Sequence, residues 1–316
     1  MCKDLPDFIF AFQSPWKRRQ LQEHGRGMMM VDSTHNSVDK GCLSDGRQIS
    51  LYTIVIRDPV VGKGLPVCWA FTASAAAEPV GCIFKWLRES TGVIPCAVMS
   101  DCALAIKKGV NLAYEDLGRQ APHMYWCLFH VLKAFRNRAQ QFLKDESPDA
   151  FLKDESPDAV EEFRQIVYDL RDPEGKMRLF YDKWSLINKD FGNYAQTQWH
   201  TNILHWATPH QGIHTNNYTK AWHRILKSHF IVNCEGRRRI DEVVQIMVDQ
   251  VHTSYVMTQL QVEEGIKSQR TNKFQSLAKA KAEGYTPTIL ELLGIVVTPI
   301  EAGVSNILIA LVLHIN

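Results

Sequence analysis

The sequence contains no pair of cysteines at C-x-x-C spacing. Its eight cysteines, at 2, 42, 68, 82, 96, 102, 127 and 234, are scattered. That is unlike the dense, even spacing of a secreted disulfide scaffold, so a reducing compartment is expected. Nor is there an apolar run near the roughly twenty residues a membrane helix requires; VSNILIALVLHIN offers about nine, and reads as a buried strand or foreign sequence rather than an anchor. The opening MCKDLPDFIFAFQSPWKRR carries acids at 4 and 7 and only the short apolar run FIFAF, which is not the design of a signal peptide. The expected location is nuclear or cytoplasmic, not secreted, with no membrane partner. A strong charge of one sign is also absent. Thirty-six Lys and Arg face thirty-four Asp and Glu, a net charge of +2, which neither argues for nucleic acid nor excludes it, so any basic surface must be local.

What is present is a chain of 316 residues, 45% hydrophobic, enough to bury a real core. Three runs rich in β-branched and aromatic residues, GMMMVDSTHN, ISLYTIVIRD and LPVCWAFTAS, are separated by the turn formers DGR and GKG and predict a three-strand meander. AAAEPVGCIFKWLRES has apolar residues at 80, 83, 84 and 87 with Pro79 early, the pattern of an amphipathic helix. A strand (IPCAVMSD), a helix (CALAIKKGVNLAYEDL), a strand (PHMYWCLFHV) and a basic helix (LKAFRNRAQQFL) come next. The expected fold is α/β: a mixed five-stranded sheet with flanking helices, three strands antiparallel and the rest joined by crossovers. This is the element order of ribonuclease H-like domains.

Residues 142–159 read FLKDESPDAFLKDESPDA, a nine-residue tandem repeat. In each copy Ser147 or Ser156 is placed to cap a helix, with Pro in its first turn and Asp at the positive end of the dipole. Two copies are too few for a solenoid, which leaves a local duplication on a surface connection or a gene-model artefact. The segment to 212 is helical and then rich in Trp and His. Residues 238–268 predict a long scaffold helix with Ile240, Val244, Met247 or Val248, and Val251 on its buried side.

Two acids end strands: Asp32 in MMMVDSTHN and Asp101 in VMSDCA. Carboxylates at the ends of neighbouring strands repel unless a proton or cation intervenes, and such a pair suits a two-metal phosphoryl-transfer site. Strand-terminal Asp is also common in turns, so the pair alone is a weak signal.

MMMVDSTHN, VMSDCALAI, CLFHV at 127–131 and HTNNYTKAWHRILK at 214–227 together resemble, in order, the transposase domain of Mutator-like elements, over about residues 12–295. The resemblance implies a ribonuclease H-like fold with a DDE triad that uses Mg²⁺ or Mn²⁺ to cut and join DNA. It makes Asp32 the first acid and Asp101 the second, both metal ligands, and places the third acid, in a TNNxxE signature, at Lys220. A divalent ion about 5 Å from an ammonium at an effective dielectric near 20 meets about 6–7 kcal/mol of repulsion, so no bound metal is expected. The ammonium is expected to be drawn into a salt bridge with the two aspartates. The alternative is that it swings to solvent while a nearby acid substitutes, although Glu235, Asp241 and Glu242 lie fifteen or more residues on.

Cys127 and His130 form a C-x-x-H. With His123 they are a possible but incomplete zinc set; a packed Cys with a His hydrogen-bonded near the acids is the simpler reading, and the family's use of the motif suggests a His that orients a phosphate or an acid. Lys220, Arg224 and Lys227, with His223 beside them, make a basic stripe opposite Trp222, Ile225 and Leu226; it is either a DNA-phosphate contact or an ordinary solvated face. Lys133, Arg136, Arg138 and Arg237 to Arg239 would extend it. Such transposases are expected to carry an N-terminal DNA-binding region and often a C-terminal zinc module, and neither is visible.

The expected organisation is a leader remnant (1–26), the first part of the core (27–145), a helical insertion with the repeat (146–212), the final core helix (213–232), C-terminal helices (233–295) and an atypical apolar tail (296–316). The function these residues suggest is a degenerate transposase domain impaired in DNA strand cleavage. The alternatives are a non-catalytic DNA-binding or interaction protein on the same scaffold, or a relic without function. The implied partners are DNA, as element ends or non-specifically, and a second copy of the chain.

Overall fold

Strict alternation of side chains gives the central strands two buried faces, and both are covered. The computed structural model describes residues 8–35, 37–39, 43, 46–143, 156–169, 171–207, 215–231 and 238–269; the elements belong to one unit, Met1–Lys267. Strands β2 (Met28–Thr34), β3 (Ser50–Arg57) and β4 (Gly64–Thr72) form the antiparallel meander, and β5 (Ala97–Ser100) and β6 (His123–Trp126) continue the sheet in parallel beyond β2.

A further strand, β1 (Ile9–Phe12), pairs antiparallel with β4, giving the order β1-β4-β3-β2-β5-β6. The sheet therefore has six strands where the sequence suggested five. The addition is the FIFAF run assigned to a leader. Its Phe10 and Phe12 rings lie 6.4 Å from Phe71, and Phe12 lies 5.3 Å from Trp69, so aromatic packing holds the segment on the sheet edge. Helix α1 (Pro15–His24), with Ser14 accepting from the Lys17 N–H, also joins the core through fully buried Leu21.

One face of the sheet, with Met29, Val31, Ile54, Val67 and Val98, packs under α2 (Ala77–Thr91) and α3 (Leu104–Tyr114), the crossover helices to β5 and β6. These two helices meet closely at Gly109, where a Cβ would stand 2.6 Å from the Ala77 carbonyl oxygen. Helices α4 (Leu128–Leu143), α5 (Ser156–Val167), α6 (Pro173–Ile187), α7 (Lys189–Tyr194) and α8 (Ile203–Trp206) extend this core. Phe135 stacks on Phe163 at 3.8 Å, with Phe180, Phe191 and Trp199 around them. Each such ring buried contributes about 1.5–3 kcal/mol, and Trp199 carries the cluster onto Trp126 of β6. The second copy of the repeat starts α5 at Ser156; Ser147 lies outside the described residues, as does the apolar tail.

The other face, with Met30, Leu51, Val55, Trp69 and Met99, is covered by α9 (Asn217–Ile225), α10 (Ile240–Ile246) and α11 (His252–Glu263). A π turn at Met247–Val251 joins α10 to α11. Of the residues expected on the buried side, Met247 and Val251 are fully buried and Ile240 and Val244 are partly covered against the same core, which Val243 and Ile246 complete; Val248, the alternative to Met247, is exposed.

Candidate functional site

Strand register brings the chemistry into one row. Met30 pairs with Met99, and Met99 with Tyr125. Two residues further along the parallel strands, on the same side of the pleat, stand Asp32, Asp101 and Cys127, on strands spaced about 4.8 Å apart. On the other side of β2, Asp32 pairs with Thr53, and Thr53 with Trp69. The row Trp69, Thr53, Asp32, Asp101, Cys127 thus crosses five strands beneath α9.

Helix α9 is pinned to this row at its start. The Asn216 backbone N–H donates to Cys127 Sγ at 3.2 Å, and its side-chain amide donates to the Val31 carbonyl at 3.0 Å. The Thr219 hydroxyl donates back to Asn216, so the buried amide is satisfied on both ends. Further along, Trp222 Nε1–H donates to Thr53 Oγ1 at 3.3 Å, and His223 Nε2 lies 3.2 Å from the same oxygen. With the indole donating to Thr53, the hydroxyl hydrogen goes to His223 Nε2 and the ring proton resides on Nδ1, the nitrogen 3.8 Å from Asp32 Oδ2. A second π turn, Leu226–Phe230, ends the helix and leaves Lys227 donating to the His35 carbonyl at 3.1 Å.

Asp32 has only 14% of its side chain exposed. Burial, and then the neighbouring Asp101 carboxylate, push its pKa up to about 7, against the opposing pull of the Ser33 N–H and of Lys220 and Lys227. A buried carboxyl facing a second carboxylate holds its own proton toward neutral pH. Burial, with help from Lys227, pushes His223 down to about 4, so its ring is neutral. Burial and the Lys220 ammonium also hold His130 below the ordinary imidazole range, while Asp101 pulls it the other way.

Lys220 does not make the expected salt bridge. No ion pair to Asp32 or Asp101 is present among the described residues; the ammonium sits over the Phe129 ring, 3.8 Å from its centre, and acts on Asp32 only through its field. The buried Asp32 carboxyl holds its proton toward neutral pH, which weakens its attraction, and an aromatic face supplies an alternative that needs little desolvation. The supporting residue, Phe129, lies inside the CLFHV motif.

The residues expected to form the DNA stripe divide. Arg224, Lys227, Lys133 and Arg136 are exposed, as is Arg138, but His223 is 8% exposed and turned into the row. Ile225, expected on the apolar side, is 39% exposed. Arg239 pairs with Asp241, and Arg237 lies outside the described residues. Of the residues in the zinc alternative, His123 is exposed and stacks with Tyr125, Cys127 Sγ accepts from the Asn216 N–H, and His130 Nδ1 is buried without a hydrogen-bond partner. Thr53, Asn216 and Phe129 were not singled out from sequence. For Thr53 the available signal was its place opposite Asp32 in the meander.

Among the described residues no group of three or more His, Cys, Asp or Glu is placed to hold a metal ion. An ammonium at the third position would repel a divalent cation held between the two carboxyls. No described helix is long and apolar enough to cross a membrane. Neither a family model nor a curated protein matches this chain.

Proposed function

We propose that the chain is a transposase-like domain of the Mutator-like type, on a ribonuclease H-like scaffold, that binds the DNA backbone and has lost strand cleavage. The observation that carries this reading is the row itself: Asp32 and Asp101 level on neighbouring parallel strands, with a TNN-initiated helix laid across them and lysine where the signature asks for an acid. The six-stranded mixed sheet is compatible with that scaffold.

Mg²⁺ or Mn²⁺ does not fit the residues present, so no cleavage step is assigned. What remains is a cationic rim around a buried acidic row. Arg224, Lys227, Lys133 and Arg136 are exposed, and His130 senses both Lys220 and Lys133, so the starts of α4 and α9 present their charges side by side. Cations arranged in this way favour phosphate through counterion release, without reading bases.

The test is fluorescence anisotropy of a labelled duplex over a salt series, run alongside a nicking assay with Mg²⁺ and with Mn²⁺. Binding should weaken steeply with salt, weaken further in Arg224→Ala and persist in Asp101→Ala, with no nicking. Metal-dependent nicking that vanishes in Asp32→Ala would establish an active enzyme instead, and absence of binding at low salt would exclude the DNA-binding reading.

A further inference from the structure

Three large aromatic side chains are exposed among the described residues: Phe10 on the edge strand, Tyr168 just past α5, and Phe129. Only Phe129 stands beside the acidic row. Cys127 ends that row, α4 begins at the next residue, and Phe129 lies in its first turn. The Asn216 N–H, donating to Cys127 Sγ at 3.2 Å, brings the start of α9 to the same place. Lys220, in the first turn of α9, then sets its ammonium 3.8 Å from the centre of the Phe129 ring.

That contact leaves much of the ring in water. Phe129 is 52% exposed even with the ammonium on one face. The only ring near it among the described residues is His130, inclined at 77° with centroids 5.7 Å apart, so a flat group can still lie against the phenyl face away from the ammonium. An exposed phenyl ring costs free energy in water, and a stacked partner recovers it.

The surroundings of the ring carry charge of one sign. Leu128, Val131, Phe135 and Ala139 are the buried side of α4. Phe129, Lys133 and Arg136 recur at four- and three-residue steps on its exposed side, and no salt bridge to Lys133, Arg136 or Lys220 is present among the described residues. From Phe129 to Arg136 is seven residues, about 10 Å along the helix, the axial length of about three nucleotides at 3.4 Å each. Cations of this kind meet the phosphates of any DNA. The ring discriminates, because a base inside a duplex has both faces covered by its neighbours, whereas an unpaired base has a face to offer.

We infer that Phe129 is a stacking platform for an unpaired DNA base, with Lys220, Lys133 and Arg136 holding the phosphates beside it, so that the domain prefers DNA with a single-stranded segment to blunt duplex. The inference rests on the DNA-binding reading proposed above.

The test is fluorescence anisotropy on the full chain with two labelled DNAs carrying equal numbers of phosphates, one a blunt duplex and one a duplex with a short single-stranded overhang, over a salt series. Wild type should bind the overhang DNA about tenfold more tightly, within the range for one base stacked on an aromatic side chain, and the ratio should hold while salt lowers both affinities. Phe129→Leu should bring the ratio to about one, and Phe129→Tyr should keep it. Lys133→Ala should weaken both DNAs together and leave the ratio in place. Phe129→Trp should add fluorescence that the overhang DNA quenches and the blunt duplex does not. Equal affinity of wild type for the two DNAs, or a ratio unchanged in Phe129→Leu, would overturn the stacking assignment while leaving backbone binding intact, whereas binding to neither DNA would overturn both.

Discussion

Replacing Asp32 by asparagine should make the protein more stable, and by an amount that depends on pH. In the folded state Asp32 keeps its proton up to about pH 7, whereas the unfolded chain releases it near 3.8. The gap, 7 minus 3.8, is about 3 units, or about 4 kcal/mol at 1.36 kcal/mol per unit. Because the folded pKa is raised, folding takes up a proton between those two values. The contribution of Asp32 to wild-type stability should therefore decline as pH rises from about 4 to about 7 and level off above. Asparagine does not titrate, and its side-chain oxygen can still accept the Ser33 N–H, 3.0 Å away in the wild type.

The advantage of Asp32→Asn over wild type should grow from near zero at about pH 4 to at most about 4 kcal/mol just above neutrality. His223 titrates over part of the range in both proteins and so contributes little to the difference. Urea denaturation with linear extrapolation at a series of pH values measures this directly. A difference that is flat with pH, or a variant less stable than wild type at neutral pH, would refute the claim that a buried, protonated acid lies at the centre of the row.

Three further outcomes are expected. Lys17 is fully buried, donates to the Pro66 carbonyl at 2.8 Å beneath the Trp69 and Tyr255 rings, and burial pushes its pKa down to about 7. Lys17→Met should therefore raise stability near neutral pH by about 2–4 kcal/mol after the lost hydrogen bond, with the gain vanishing as pH rises toward 10.5; a destabilised variant at pH 7 in urea melts would contradict this. His223 is held neutral down to about 4, so its contribution to stability should fall by up to about 3 kcal/mol as pH falls from 6.5 through 4, and His223→Gln should gain on wild type by up to that amount over the same range in urea denaturation. Gly64 lies where a Cβ would come within 2.8 Å of Tyr218 Cβ and 3.1 Å of Val55 Cγ1. Gly64→Ala should therefore lift α9 from β4 at a cost of about 1–3 kcal/mol, visible as a lower Tm together with weakened DNA binding.

The strands that carry Asp32 and Asp101 were legible because their apolar runs are continuous and each ends in an acid before a turn. That the two acids stand level was not, since register depends on how β2 and β5 pair, and pairing is a long-range property. The edge strand at Ile9–Phe12 escaped because four residues carry little periodic signal and the aromatic partners that hold it lie about sixty residues on, at Trp69 and Phe71. His223 was grouped with Lys220, Arg224 and Lys227 by helical spacing alone. It stands at the border between the buried set, Thr219, Trp222 and Leu226, and the solvated face, and the Thr53 hydroxyl decides on which side it falls. The aromatic seat of Lys220 required Phe129 on a different helix, although both residues were already in view as members of separate motifs.

Calorimetric titration of Mn²⁺ into wild type and Lys220→Glu tests the central claim most directly, because it asks whether one ammonium keeps a carboxylate row from acting as a metal site. Wild type should give no binding heat, and Lys220→Glu, with three acids around the row, should bind and should gain thermal stability from the ion. Binding by wild type, or a Lys220→Glu protein that folds and still binds nothing, would contradict it.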